Sequence, residues 1–341
     1  MSLVADPRTA PPLRWGILGP GGIAATFAQA VLGHTRSQVV AVGSRDRERA
    51  ERFASRFGIP TTHEGYERLV ADPQVQAVYV ASPHSAHLEH ALLAIRAGKH
   101  VLVEKPVARS AAEARQIAEA AREAGVFAME AMWTRFLPHV AVLRDVVGRG
   151  EIGEPVSLFA DHGQWFDVGP EHRLLNPHLA GGALLDLGVY PVSFAHDLLG
   201  APTAVHATGQ MTETGVDGQV AMTLEHDSRA RSLLHTTQWA RTPTVALLSG
   251  TEGRIEVAGE FYRPSSLRVV RRDGSEWTFS RPVDGGFQFQ AAEVARCVAE
   301  GRTESERMPL DGSVAVMETL DEVRRQIGLV YPGERAPGEP A

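Results

Sequence analysis

Residues 14–24 read Arg14-Trp15-Gly16-Ile17-Leu18-Gly19-Pro20-Gly21-Gly22-Ile23-Ala24. The run Arg14–Leu18 predicts a buried strand that enters a glycine turn and then a helical stretch. Within the turn, Gly19-x-Gly21-x-x-Ala24 has the spacing of the dinucleotide fingerprint. Gly19 permits the tight turn, Gly21 lets the backbone approach a pyrophosphate, and Ala24 lets helix and strand pack closely. The helix then offers the amides of Gly22 and Ile23, and its positive dipole end, to phosphate oxygens. Such a match alone is weak. Its weight comes from the strand before it and the strand–helix series after it.

That series covers the first 130 or so residues. Further strands are predicted at Val39–Gly43, Ala77–Ala81, His100–Val103 and Phe127–Met129. Most are continuous apolar runs, the pattern of strands covered on both faces. Helices are predicted at Asp46–Phe57, capped by Asp46, at His84–Ala97, closed by Gly98, and at Ser110–Ala124, capped by Ser110 with Glu113 three residues on. Alternation of this kind predicts an α/β Rossmann domain with a doubly wound parallel sheet, placed at residues 1–133. From about residue 135 short strands with polar alternation dominate, from Val156–Ala160 to Trp277–Phe279, with helical patterns at Gln288–Glu300 and Gly312–Gly328. Residues 134–341 therefore read as a C-terminal α+β domain with a large, mostly antiparallel open sheet.

The second strand ends in Ser44-Arg45, where an NAD site usually carries an acid for the ribose hydroxyl. A guanidinium there pairs with a 2′-phosphate instead, and Ser44 adds a hydrogen bond. The predicted cofactor is NADP(H) rather than NAD(H). Arg47 and Arg49 follow on the next helix, and Arg49 is read as part of its exposed face.

The strand His100–Val103 ends in Glu104-Lys105-Pro106, at the carboxyl edge where doubly wound sheets bind ligands. Pro106 keeps Lys105 extended, and a lysine there can reach a nicotinamide and a substrate hydroxyl. With the fingerprint and the turn Pro83-His84-Ser85-Ala86-His87, this stretch resembles the glucose–fructose oxidoreductase / inositol dehydrogenase / MocA family over nearly the whole chain. The family usually has Asn after the Pro; here it is His84. Met129–Phe136, Gly181–Tyr190 and Glu213–Asp217 resemble, more narrowly, the dimeric dihydrodiol dehydrogenase / NADP-dependent D-xylose 1-dehydrogenase branch. The resemblance implies a two-domain fold and an NADP cofactor held by Gly19, Gly21, Gly22, Ile23, Ser44, Arg45, Pro83, His87, Glu104 and Lys105. It implies a homodimer or dimer of dimers formed through the open face of the second sheet. It also implies hydride transfer at a hydroxyl or carbonyl of a sugar, polyol or trans-dihydrodiol.

Asp186 and Tyr190 are four apart in a helical stretch, which puts them on one face. Other family members carry His at the Tyr190 position, an exchange that makes sense for a proton carrier. Free tyrosine titrates near 10, and an ammonium such as that of Lys105 favours the phenolate. The expected catalytic set is Lys105, Tyr190 and Asp186: Tyr190 exchanges the hydroxyl proton, Lys105 polarises the oxygen, and Asp186 orients the pair or binds a neighbouring hydroxyl. Trp133, Arg135, His162 and Phe287 are expected to line the substrate pocket, with His162 on a sugar hydroxyl. Two other readings fit the same motifs: a glycosidase that retains its NAD(P), and an NADP-binding redox sensor without turnover.

The bulk numbers exclude other classes. A net charge of −7 with scattered basic residues argues against nucleic acid. No apolar run approaches membrane length. One cysteine, Cys297, forms no internal disulfide and suits a cytoplasmic protein. His84, His87 and His90 have helical spacing, but there is no HExxH and no cysteine cluster, so no metal is expected. Residues 1–12 and 332–341 read as disordered ends.

Overall fold

A computed structural model describes residues 4–334. Among the described residues the chain forms two compact units, 4–136 with 284–314, and 137–283 with 315–334. Residues 284–314, read above as part of the second domain, therefore pack with the first. Part of the expected N-terminal arm is also ordered: Val4, Pro7 and Ala10 are buried, and Asp6 caps a short 3-10 turn at Pro7–Thr9. Residues 1–3 and 335–341, the ends of the two predicted arms, lie outside the described residues.

The first unit carries β1 (Arg14–Leu18), α1 (Gly22–His34), β2 (Gln38–Ser44), α2 (Arg47–Phe57), β3 (Thr61–Glu64), α3 (Tyr66–Ala71), β4 (Ala77–Val80), α4 (His87–Arg96), β5 (His100–Val103), α5 (Ala111–Ala124) and β6 (Ala128–Glu130). The strands form one six-stranded parallel sheet in the order β3-β2-β1-β4-β5-β6. Asp46 and Ser110 cap α2 and α5 as predicted, accepting from the amides of Arg49 and Glu113. Beneath the sheet, Phe27 stacks on Tyr79 at 3.8 Å and meets Trp15 edge-on at 5.1 Å. All three rings are fully buried, each worth about 1.5–3 kcal/mol of apolar transfer. The strand order reverses direction between β1 and β4, and a doubly wound sheet opens its ligand crevice at that point, beyond the carboxyl ends of its strands.

β3 and α3 were not predicted. Thr61-Thr62-His63-Glu64 has no apolar residue, because an edge strand has one neighbour and half its side chains face water.

The second unit begins with α6 (Pro138–Gly148) and β7 (Pro155–Gly163) and continues through α7 (Val189–Leu199). It then runs through β8 (Pro202–Met211), β9 (Asp217–His226), β10 (Arg231–Thr237), β11 (Ala246–Gly250), β12 (Gly253–Val257), β13 (Leu267–Arg271) and β14 (Glu276–Phe279). These strands form an eight-stranded sheet in the order β14-β13-β12-β11-β7-β10-β9-β8, antiparallel except where β7 meets β10. α7 packs on β7 and β10, and Leu158, Ala160 and Leu234 are buried. The alternate residues Phe159 and Leu233, paired across β7 and β10, are 41% and 48% exposed and leave the other face apolar and open. Of the C-terminal helices, α8 (Phe287–Ala299) belongs to the first unit, and α9 (Leu310–Ile327) spans the division between the units.

Candidate active site

In the first unit the predicted cofactor residues gather along the carboxyl ends of β1, β2, β4 and β5. After β1, Gly19 has a φ of +91°, and a Cβ there would sit 3.1 Å from the carbonyl oxygen of Ala81, so the turn requires glycine. Gly21 precedes α1 with no side chain capping the helix, and a Cβ on Gly22 would meet nothing within 4 Å. Gly22 and Ile23, at the start of a 13-residue helix, are exposed and no side chain caps its first turn, the arrangement that suits a pyrophosphate. Beyond β2, Ser44 is buried and accepts from the amide of Asp46 at 3.1 Å, while Arg45 is exposed. Arg49 is exposed, as expected of an outer helix face, and its Nε also donates to the carbonyl of Pro20 at 3.2 Å. Arg47 takes the outer face, paired with Glu51 at 2.8 Å.

Beyond β4, Pro83 leads into a short 3-10 turn, and His87 follows at the start of α4, fully buried. Its Nδ1 lies 2.8 Å from the carbonyl of Pro106 and its Nε2 lies 2.9 Å from that of Ser82, so the ring bridges the ends of β4 and β5. Burial pulls its pKa down to about 4, and the neutral ring can donate to only one of the two carbonyls at a time. Beyond β5, Glu104 is 5% exposed and accepts from the Tyr79 hydroxyl and from the amide of Lys105. Burial pushes its pKa up to about 7 against these donors and the Lys105 charge. Trp133 and Phe287 pack ring to ring at 4.6 Å within this unit, and Arg135 is buried in the same short turn as Trp133.

The state of Glu104 has a measurable consequence. The unfolded chain ionises this group near pH 4.5, whereas the folded chain holds its proton to about pH 7. Its contribution to stability is therefore full below the unfolded pKa and is lost as pH rises through the folded one. Urea unfolding of wild type and Glu104→Gln should show the wild type losing about 2–3 kcal/mol relative to the variant between pH 5 and pH 8. A pH-independent difference would mean the carboxyl is ionised in the fold throughout.

In the second unit the segment before α7 is one turn of π-helix, Leu184–Gly188, so the Asp186–Tyr190 spacing is not that of a regular α-helix. Such turns insert one extra residue and recur at functional sites. The turn is anchored by Asp217, a fully buried acid that accepts from the amide of Leu184 at 2.6 Å. Burial pushes the Asp217 pKa up to about 6. Gly182 has a φ of +118°, and a Cβ there would lie 2.0 Å from Asp217 Oδ1. Asp186 is buried and pairs with Arg173, Oδ1 to Nη1 at 2.9 Å.

Tyr190 is 7% exposed, with the rings of His162 and Tyr262 centred 5.2 and 4.8 Å from its own. His162 is fully buried rather than offered to a sugar hydroxyl. A carbonyl can only accept, so His162 Nδ1 donates to Leu187 O at 3.2 Å, and Nε2 is left to accept from the Gln164 amide at 2.9 Å. Gln164 Nε2 also reaches the Tyr262 hydroxyl at 3.3 Å. Sequence reasoning missed Arg173, Asp217, Gln164 and Tyr262 as contributors. Only Asp217 left a signal, as the last residue of the Glu213–Asp217 motif.

Comparison with known proteins places these features in a known group. Residues 13–132 match the family model described as an oxidoreductase family with an NAD-binding Rossmann fold, and residues 140–260 match the GFO/IDH/MocA C-terminal domain. The chain is 37% identical to D-xylose 1-dehydrogenase (NADP(+)) of Hypocrea jecorina over 94% of its own length and 93% of the relative's. It is also 37% identical to trans-1,2-dihydrobenzene-1,2-diol dehydrogenase of Mus musculus, over 95% and 99%. Among solved structures, KijD10, a 3-ketoreductase from Actinomadura kijaniata solved with NADP and TDP-benzene, superposes with a TM-score of 0.82 at 28% identity, covering 93% and 98%.

Proposed function

The chain belongs to the Gfo/Idh/MocA oxidoreductase family, and on that premise we propose that it is an NADP-dependent dehydrogenase acting on a hydroxyl of a sugar, polyol or trans-dihydrodiol. The observation that carries this reading is the Gly19–Gly22 cradle at the strand switch point, in one sheet edge with Arg45 and Lys105. The amides of Gly21, Gly22 and Ile23 would hold the pyrophosphate, and Ser44 and Arg45, with Arg49 nearby, would hold the 2′-phosphate. Pro83, His87 and Glu104 would shape the nicotinamide end, where NADP would supply a hydride acceptor for the substrate carbon. Lys105 polarises the substrate oxygen and Tyr190 takes its proton as the carbonyl forms; the reverse sequence reduces a carbonyl. Asp186 is held by Arg173 and orients the substrate. Trp133, Arg135 and Phe287 line the pocket on the first unit, while His162 supports Tyr190 from behind.

Cofactor choice is tested by titration calorimetry. NADP+ is expected to bind more tightly than NAD+, and Arg45→Ala should weaken NADP+ by about 10–100-fold, the range of one or two charge-assisted bonds, while leaving NAD+ within a few-fold. Equal or tighter NAD+ binding by the wild type would overturn the NADP assignment. Hydride transfer itself is tested with a substrate deuterated at the oxidised carbon, whose label should appear in NADPH. The retaining-glycosidase and sensor readings both predict no label in released NADPH.

The same reading includes a homodimer through the second sheet, supported by the apolar open face around Phe159 and Leu233. It also places the protein in the cytoplasm. No helix among the described residues is long and apolar enough to cross a membrane, and Cys297 is a buried free thiol whose pKa is pushed up to about 12.

A further inference from the structure

The turn that carries Lys105 is held at three consecutive residues by buried side chains. The amide of Lys105 donates to Glu104 Oε2 at 3.2 Å. The carbonyl of Pro106 faces His87 Nδ1 at 2.8 Å. The amide of Val107 donates to Glu130 Oε1 at 3.1 Å. Glu130 ends β6, is 1% exposed, and reaches Val107 across 23 residues of sequence. An acid in this place is costly. Burial disfavours its charge and raises its pKa, opposed by Arg135, the Val107 amide and Lys105. Among the described residues, Arg135, Glu104, the Tyr79 hydroxyl on Glu104, and His87 are charged or titratable groups that act on Glu130 or Lys105 or on their neighbours. A leucine would fill the same volume without that cost. What leucine lacks is the acceptor oxygen that ties down Val107.

We infer that Glu130 is a positioning residue for Lys105: it fixes the backbone at Val107 so that the lysine stem leaves the sheet edge in one direction. The inference rests on the reading of Lys105 as the group on the substrate oxygen. Catalytic groups misplaced by about an ångström lose on the order of 100-fold in rate, so the clamp should act on turnover rather than on cofactor binding.

The test compares Glu130→Gln, which keeps an acceptor oxygen, with Glu130→Leu, which does not. Hydrogen–deuterium exchange of the protein without cofactor should show residues 105–108 losing protection in Glu130→Leu and keeping it in Glu130→Gln, with β5 and β6 unchanged in both. In steady state Glu130→Leu should lose about 30–100-fold in kcat with NADPH affinity within a few-fold of wild type, and Glu130→Gln should restore most of it. Equal exchange in the two variants would overturn the inference. So would NADPH affinity falling in step with kcat, which would make Glu130 a support of the whole domain. If the leucine variant does not fold, Glu130→Ala makes the same comparison. Loss of protection in Glu130→Leu alongside a wild type that oxidises no sugar or diol would uphold the clamp and sink the reaction reading instead.

Discussion

Tyr190→Phe is expected to lower kcat for hydroxyl oxidation by about 10²–10⁴-fold, the range of a positioned general acid–base. The substitution is a clean one for physical reasons. Tyr190 sits among aromatic rings, with His162 at 5.2 Å and Tyr262 at 4.8 Å between centroids, and phenylalanine keeps those contacts. Only the hydroxyl is removed. The melting temperature should therefore move by no more than a few degrees, and NADP+ affinity, which the proposal assigns to residues of the first unit, should be unchanged. Steady-state kinetics with both cofactor and substrate varied would separate these effects. Turnover within a few-fold of wild type would show that Tyr190 carries no proton.

Lys105→Met should be comparably severe, at about 10²–10³-fold in kcat, the cost of losing one preorganised charge at a developing oxyanion. Methionine keeps most of the stem length and removes the ammonium. The turn itself should survive, because its anchors are backbone groups: the Lys105 amide on Glu104, the Pro106 carbonyl on His87 and the Val107 amide on Glu130. Glu104 and Glu130 each lose a favourable positive neighbour in this variant, so both should hold their protons to higher pH than in the wild type. If Lys105 and Tyr190 act on one oxygen, the double variant should be little slower than the slower single variant. Multiplying losses would mean that they serve separate steps.

Much of the first unit was legible in sequence because its signals are local. β1, β4 and β5 are runs of buried residues, and the glycine fingerprint and Glu104-Lys105-Pro106 stand directly after two of them. Caps such as Asp46 and Ser110 are read from residues three apart. What escaped depends on packing between distant segments. Arg49 reaches Pro20 across 29 residues, Glu130 reaches Val107 across 23, and Tyr262 meets His162 from a loop about 100 residues on. The π-turn leaves no trace in a period count, since one added residue per turn within five residues is below what periodicity resolves. Residues 284–314 carry an ordinary amphipathic pattern, and no pattern names the unit against which its apolar side will pack. The charge of Arg45 at the end of β2 was read from position alone, whereas the partners of Arg47 and Arg49, Glu51 and the Pro20 carbonyl, needed the turn of α2 to be seen.

The measurement that bears most directly on the account is NADPH appearance by absorbance, with NADP+ and then NAD+ offered to wild type and Lys105→Met against a panel of aldoses, inositols and trans-dihydrodiols. The account predicts NADPH formation with at least one cyclic sugar or diol, slower or absent formation of NADH when NAD+ is offered, and NADPH formation slowed about 10²–10³-fold in Lys105→Met although that variant still binds NADP+. Tight NADP+ binding by the wild type with no NADPH formed across the whole panel would contradict it.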